Sequence, residues 1–451
     1  MQDAGTVLAV LRERGRKGLP CDELYRQMFN KSLYLLAYGN IYSNQGAMTP
    51  GAGDETADGM SEAKIGEIIA AIRDERYRFA PARRIYIPKK NGKLRPLGLP
   101  SWSDKLVGEV VRLLLEAYYE PQFSGRSHGF RKGRGCHTAL REIQQTWTGT
   151  VWFIEGDISD CFGSLDQEIL LGILAERIRD NRFLRLIRNM LKAGYLEYWQ
   201  YHDTLSGTPQ GGVVSPLLSC IYLHKLDEFA ERELIPQYTK GKWRKANPAY
   251  GRLRRQITSA RQRGDRAAVR ELARQRRAVP KGDPVDPGYR RLCYIRYADD
   301  VLLGFTGPKA EAEDIKARLA SFLRETLHLE LNASKTLITH ARTRAARFLG
   351  YQITVQHSAT KLTNGQRSAN GRIALRVPPD VITAQCVRYR RRGRPWHRSA
   401  LQNLPDYDIV RIYGAEYRGV VNYYRLAQNV SRLGTLRWNA ETSMLKTLGA
   451  P

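Results

Sequence analysis

Two adjacent acids, Asp299 and Asp300, stand in Cys293-Tyr-Ile-Arg-Tyr-Ala-Asp-Asp-Val-Leu-Leu-Gly304, between apolar and aromatic flanks. The flanks read as two short buried strands, with the acids where the chain turns between them. Carboxylates in such surroundings are costly unless a cation or a donor compensates them. A hard divalent ion such as Mg²⁺ suits them, because it prefers carboxylate oxygens and keeps positions for water and phosphate. A solvated turn is the plain alternative. Successive strand side chains face opposite ways, so the two acids act together only at the turn itself. Asp299 is therefore the expected direct ligand, with Asp300 second to it, and a carboxylate from elsewhere in the chain decides between the two readings.

Val151-Trp-Phe-Ile-Glu-Gly-Asp-Ile-Ser-Asp-Cys-Phe162 contains a candidate for that further carboxylate. An apolar strand leads into Asp157, and an acid at the end of a buried strand is held rigidly. Asp160 and Asp166 fit a loop or a helix N-cap better, with a helix expected from Asp166 to Ile178. Asp157 and Asp299, on separate strands, could hold a pair of Mg²⁺ ions that activate an attacking hydroxyl and stabilise a leaving oxygen. Such chemistry needs no His or Cys nucleophile. His128 and His137, in Ser127-His-Gly-Phe-Arg-Lys-Gly-Arg-Gly-Cys-His137, lack a useful ligand spacing and read as parts of a phosphate-contacting or capping loop.

Basic and glycine-rich segments surround these acids in the sequence. Ile85 to Pro88 and Leu94 to Leu99 read as a hairpin about the turn Lys89-Lys-Asn-Gly-Lys93. Lys89, Lys90, Lys93 and Arg95 near its tip suit a triphosphate, with Arg as a bidentate fork and Lys as a point charge. Solubilising charge is the alternative. In Leu205-Ser-Gly-Thr-Pro-Gln-Gly-Gly-Val-Val-Ser-Pro216, the paired glycines let backbone approach a ligand and Gln210 could contact a base or sugar. The same residues also suit a tight turn before a core helix, Leu217 to Leu226. Lys335 falls at the turn of a strand-turn-strand pattern from Leu329 to Ile338.

The elements that position these residues come from a chain of 451 residues, long enough for two or three domains with real cores. Its net charge of +28 calls for a polyanionic partner. A membrane surface would attract that charge too, but no apolar stretch is long enough to span a bilayer and the first twenty residues lack a secretory apolar core. The six cysteines show no C-x-x-C pairing and read as reduced thiols. Cytoplasm, with nucleic acid as partner, is the expected setting.

Residues 1–67 begin helical, with Leu24, Met28, Leu33, Leu35 and Leu36 as the apolar face, then pass through the Gly-rich loop from Asn40 to Asp54. Further helices are expected from Ile65 to Tyr77, Leu106 to Tyr119, Ala310 to Thr326 and Ile409 to Met444. A strand pair about Gly350 is expected from Arg347 to Ile353. Residues 237–291 carry seventeen Lys/Arg against four Asp/Glu, a bias beyond an ordinary solvated face. Their middle, Leu253 to Arg277, suits a basic helical hairpin on a phosphate backbone, and a partly disordered arm equally. Near the C-terminus, Arg390-Arg-Arg-Gly-Arg394 is basic, while Tyr413, Tyr417, Tyr423 and Tyr424 read mostly as core.

The ordered set of Leu-Arg-Pro-Leu-Gly, Ser-His-Gly-Phe-Arg, Gly-Asp-Ile-Ser-Asp-Cys-Phe, Thr-Pro-Gln-Gly, Tyr-Ala-Asp-Asp, Ser-Lys-Thr and Phe-Leu-Gly-Tyr resembles the reverse transcriptase of a group II intron-encoded protein. The resemblance runs from about Leu24 to the C-terminus. It implies an α+β right hand of fingers and palm, followed by an α-helical thumb that doubles as a maturase domain. The implied divisions are an N-terminal extension at 1–67, fingers and palm at 68–354 with the insertion 237–291, and thumb/maturase at 355–451. The implied activity is RNA-directed DNA synthesis, adding dNTPs to a primer 3′-hydroxyl on an RNA template with two Mg²⁺ ions. Binding of a group II intron RNA and help with its splicing are implied as well.

By the same resemblance Asp157, Asp299 and Asp300 match the metal triad, and Lys89 and Arg95 match triphosphate contacts. Phe162 matches the aromatic that blocks a ribose 2′-hydroxyl, Gln210 lines the incoming nucleotide, and Lys335 is a proton donor to pyrophosphate. The loop Asn40 to Asp54 matches a template grip, and Tyr413-Gly-Ala-Glu-Tyr-Arg-Gly-Val-Val-Asn-Tyr-Tyr424 the maturase thumb. The chain stops soon after Lys446-Thr-Leu448, so the target-strand cleavage of an H-N-H nuclease is not expected. A non-catalytic splicing cofactor would have no need of the acids. A domesticated antiviral enzyme of retron type would carry Val-Thr-Gly in place of Phe348-Leu-Gly-Tyr351.

Overall fold

Apolar residues at helical spacing build the N-terminal region. The computed structural model describes residues 2–44, 46–88, 92, 94–198, 200–204, 206–207, 212–358, 361 and 369–449. Its first helices are α1 (Ala4–Arg16), α2 (Leu24–Gln27), α3 (Lys31–Tyr42) and α4 (Glu62–Arg73). Leu33, Tyr34, Ala37 and Ile41 form the buried stripe of α3, whereas Leu35 and Leu36 are 46% and 38% exposed. The expected apolar face is thus corrected at those two residues, which fall on the opposite arc of the 3.6-residue turn. Asn40 lies within α3, so the expected loop begins only after Tyr42.

The fingers follow. The hairpin β1 (Ala82–Pro88) and β2 (Leu94–Leu99) forms as expected, with Arg95 opposite Ile87. Next come α5 (Trp102–Tyr119), against which α1 and α3 pack, and α6 (Cys136–Thr146). Strand β3 (Trp152–Asp157) leads to α7 (Cys161–Ser164), α8 (Gln167–Ala175), α9 (Asn181–Leu191), β4 (Tyr195–Glu197) and β5 (Gln200–His202). The strands order as β2-β1-β4-β5, with β1 and β4 parallel. Asp166 caps α8 as expected, accepting from the backbone N–H groups of Glu168 and Ile169 at 2.9 and 3.0 Å.

Helix α10 (Ser215–Phe229) runs through a wide turn, Ala230–Leu234, into the short α11 (Ile235–Gln237). The basic stretch is a helical hairpin of α12 (Pro248–Gln262) and α13 (Arg266–Ala278). Only Ile257 and Ala260 of α12 are buried, and no residue of α13 is. Backbone pairings of Lys240 with Arg290 and of Ala246 with Gly282 tie its base together.

The palm sheet has the antiparallel order β6-β7-β3-β8, from β6 (Arg291–Tyr297), β7 (Asp300–Thr306), β3 and β8 (Leu337–His340), with α14 (Lys309–Leu327) between β7 and β8 in the chain. Only the second arm of the expected strand-turn-strand at 329–338 is a strand. The first makes a single pairing of Leu331 with Ile158. Asn332 is the reason, since its side-chain oxygen takes the backbone N–H groups of Ser334 and Lys335 and turns the chain.

A three-stranded sheet, β9 (Ala346–Phe348), β10 (Tyr351–Val355) and β11 (Ile373–Arg376), carries the chain across residue 355. Its β9–β10 turn holds Leu349 and Gly350 at φ of 48° and 71°, the double positive φ of a type I′ hairpin. The C-terminal part contains α15 (Pro379–Val387), the hairpin β12 (Arg390–Arg391) and β13 (Arg394–Pro395), α16 (Asp406–Tyr423) and α17 (Gly434–Leu448). The single helix expected from Ile409 to Met444 is therefore two. The break is anchored from outside: Tyr423 and Tyr424 donate to the carbonyls of Leu349 and Gly350, and the Asn429 side chain pairs with the backbone of Val377. Tyr413 and Tyr424 are buried, as the core reading requires, whereas Tyr417 is half-buried and Tyr423 is 37% exposed. No helix among the described residues is long and apolar enough to cross a membrane, and the cysteines are free thiols.

Candidate active site

The β6–β7 register pairs Tyr297 with Asp300, leaving Ala298 and Asp299 as a two-residue turn in which Ala298 has φ 54°. Strand β3 lies on the other side of β7 with Asp157 opposite Asp300. Directly paired residues project from one face, so the three acids gather at one end of the palm sheet. Burial pushes the Asp299 carboxyl above its usual range, and the negative charge of Asp157 adds to the effect. Asp300 is pushed up to about 6 by burial and then by Asp299 and Asp157. This crowding of negative charge is what a cation would relieve.

The donors fit a divalent metal in kind, being carboxylate oxygens. Asp157 Oδ2 already accepts from Lys335 Nζ at 2.9 Å, so a cation is drawn to this point of the site. Among the described residues no set of three or more Asp, Glu, His or Cys converges closely enough to hold an ion alone. Mg²⁺ sites that act on phosphates ordinarily use one or two carboxylates and complete their shell with substrate oxygens. Asp157 and Asp299 meet that requirement, since both line a cleft of about 1880 Å³, whereas Asp300 is not among its lining residues.

Arg95, Phe162 and Lys335 line the same cleft. Arg95 lies close enough to lower the Asp299 carboxyl, partly offsetting its burial. Phe162 sits on the single turn α7, entered through Asp160 at φ 40°, and meets Phe130 edge-on at 6.0 Å. Gly207 fixes that turn from behind: its N–H donates to the Leu165 carbonyl, and a Cβ there would lie 2.5 Å from the Phe162 carbonyl oxygen. Asn40, Asn44 and Thr49 bring the N-terminal region to the cleft wall. Lys89 and Gln210 lie outside the described residues.

Neither histidine of the 127–137 loop lines the cleft. His128 is buried between the Thr138 hydroxyl at 2.9 Å and the Glu142 carboxylate at 3.1 Å, and His137 meets the Tyr423 carbonyl at 2.7 Å. Three residues near the Ala298–Asp299 turn do not stand out in the sequence as parts of the site: Arg296 and Gly129, which contact Ala298, and Asp227, which holds Arg296. A signal was present: Arg296 is a charge at an inward position of an apolar strand, and such a charge demands an acid.

Carboxylates on a strand end and an adjacent turn at one end of an antiparallel sheet, facing a cleft with basic side chains, fit a nucleotidyl-transferring polymerase palm. The family model for reverse transcriptase (RNA-dependent DNA polymerase) matches residues 87–353, and that for type II intron maturase matches residues 381–450. The chain is 41% identical to the group II intron-encoded protein LtrA of Lactococcus lactis subsp. cremoris, over 95% of this chain and 74% of that protein. It is 37% identical to an uncharacterized 91 kDa protein in a cob intron of Schizosaccharomyces pombe, over 91% of this chain and 52% of the relative. It is 36% identical to the protein YkfC of Escherichia coli K12, over 69% of this chain and 77% of the relative. The chain belongs to the group II intron reverse transcriptase/maturase family, and is an RNA-directed DNA polymerase.

Proposed function

We propose that the chain extends a primer 3′-hydroxyl with dNTPs along an RNA template, using two Mg²⁺ ions held by Asp157 and Asp299 with Asp300 beside them. The observation that carries this reading is the meeting of Asp157, at the end of a strand, and Asp299, in a separate turn, in one cleft with Arg95, Phe162 and Lys335. Metal ions bound there would activate the attacking hydroxyl and stabilise the leaving oxygen of an in-line displacement. Arg95 and Lys89 take the triphosphate charge, and Gln210 lines the nucleotide. Lys335, an exposed amine on the Asp157 carboxylate, would give a proton to the departing pyrophosphate.

Phe162 excludes the 2′-hydroxyl by filling its space. Phe162→Ala is expected to raise the kcat/KM ratio of rNTP to dNTP on the order of 100-fold, the scale on which a pocket sorts substrates differing by a hydroxyl. Single-nucleotide incorporation kinetics check this, and an unchanged ratio would remove the gate role.

Intron RNA is the second proposed partner, supported by the maturase match and by the basic α12–α13 hairpin, and the cytoplasm is the proposed compartment. Trp243 beside its base is 80% exposed between Lys242 and Arg244, an arrangement suited to stacking on an unpaired base. Replacing the exposed Arg254, Arg255, Arg261 and Arg270 with Gln is expected to weaken binding of structured RNA. The slope of log affinity against log salt should become shallower by about three, since each phosphate contact contributes roughly 0.7–0.9. Filter binding at several salt concentrations measures it. Extension of a short primer-template should persist.

A further inference from the structure

Arg296, the penultimate residue of β6, and Asp227, on α10, are both fully buried. The guanidinium Nε donates to Asp227 Oδ1 at 2.8 Å and Nη2 to Oδ2 at 2.5 Å, while the Tyr294 hydroxyl donates to Oδ1 at 2.8 Å. The third guanidinium nitrogen, Nη1, donates to the carbonyl of Ala298 at 2.9 Å. The backbone of Arg296 is held as well. Its N–H donates to the Arg126 carbonyl and its carbonyl accepts from the His128 N–H, each at 2.9 Å.

That loop also reaches the turn directly. A Cβ at Gly129 would lie 2.2 Å from the backbone nitrogen of Ala298, so no side chain fits there without moving the turn. The Gly129 carbonyl in turn accepts from Cys220 Sγ of α10 at 3.4 Å. The Arg296 side chain and the Gly129 loop thus meet at Ala298, the residue before Asp299, and each is braced by α10. Ala298 holds a positive φ, which a non-glycine residue keeps only where its surroundings over-determine it. A pair serving stability alone has no need of this geometry, because buried ion pairs give little net stability over an apolar replacement.

We propose that Arg296, locked by Asp227, and Gly129 are positioning residues that set the Asp299 carboxylate relative to Asp157 and thereby set the affinity of the site for its divalent cation. The inference rests on the reading of Asp299 as a metal ligand. An apolar replacement of the network, Arg296→Met with Asp227→Leu and Tyr294→Phe, removes the buried charges together and separates stability from positioning. Gly129→Ala displaces the turn with that network intact.

Both variants are made in the full chain and compared with the parent in thermal midpoint and in the Mg²⁺ dependence of primer extension. The triple variant should melt close to the parent. Both variants should need more Mg²⁺ for half-maximal rate and lose about 100-fold in kcat, the cost of an ångström-scale misplacement, with KM for dNTP little changed. Parental Mg²⁺ dependence and kcat in a folded triple variant, or in Gly129→Ala if the triple variant fails to fold, would overturn the proposal. Retained synthesis by Asp299→Ala would instead overturn the reading beneath it.

Discussion

Asp299→Ala should lose primer extension by roughly 10³- to 10⁴-fold, because a metal supplies several kcal/mol of transition-state charge stabilisation and each 1.36 kcal/mol is tenfold in rate. The variant should fold. Asp299 sits at a turn, and its removal relieves the crowding that pushes Asp300 up to about 6. A thermal midpoint equal to or above that of the parent is therefore expected alongside the lost activity. Binding of structured RNA should be unchanged, since the basic hairpin α12–α13 is a separate part of the chain. Steady-state extension with dNTPs on an RNA template, run beside a melting curve, gives both answers. Robust synthesis by this variant would leave RNA binding as the surviving role.

Asp227→Ala should act on the fold itself. It leaves the Arg296 guanidinium buried without its carboxylate, and breaking a buried pair by removing one partner costs about 3–5 kcal/mol. Denaturant unfolding should show a correspondingly lower midpoint, whereas the apolar triple replacement should recover most of the loss. The pH dependence has a definite sign. Burial alone would push the Asp227 carboxyl up, but Arg296, together with His224 and the hydrogen bond from Tyr294, outweighs it and holds the group below its ordinary 3.8. The pair's contribution is therefore fully present above about pH 4 and fades as the pH falls through the depressed folded value. A deficit of Asp227→Ala that persisted unchanged far below that pH would contradict this account.

The residues with chemistry were legible for local reasons. An apolar strand ending in Asp157, and two strands joined at Ala298–Asp299, follow from short continuous apolar runs and from the shortness of the connection. The hairpin bearing Arg95, the cap at Asp166 and the I′ turn at Gly350 are equally local. Less legible were the face of α3 and the break after Tyr423. Both α3 arcs are apolar, so only the packing of α3 on α5 selects Tyr34 and Ala37 over Leu35 and Leu36. The break is paid for by hydrogen bonds to Leu349 and Gly350, 74 residues away in sequence.

The amino-acid sequence by itself determined most of the elements, the class of chemistry and the acids proposed to perform it, because backbone periodicity, turn stereochemistry and the cost of burying carboxylates act over a few neighbouring residues. Tertiary structure alone decided that β3 lies beside β7, which sets Asp157 opposite Asp300. It alone decided that Arg296 meets Asp227 across 69 residues and that Gly129 touches the turn. Such neighbours are chosen by strand order and by close packing of the whole core, to which a local pattern is blind.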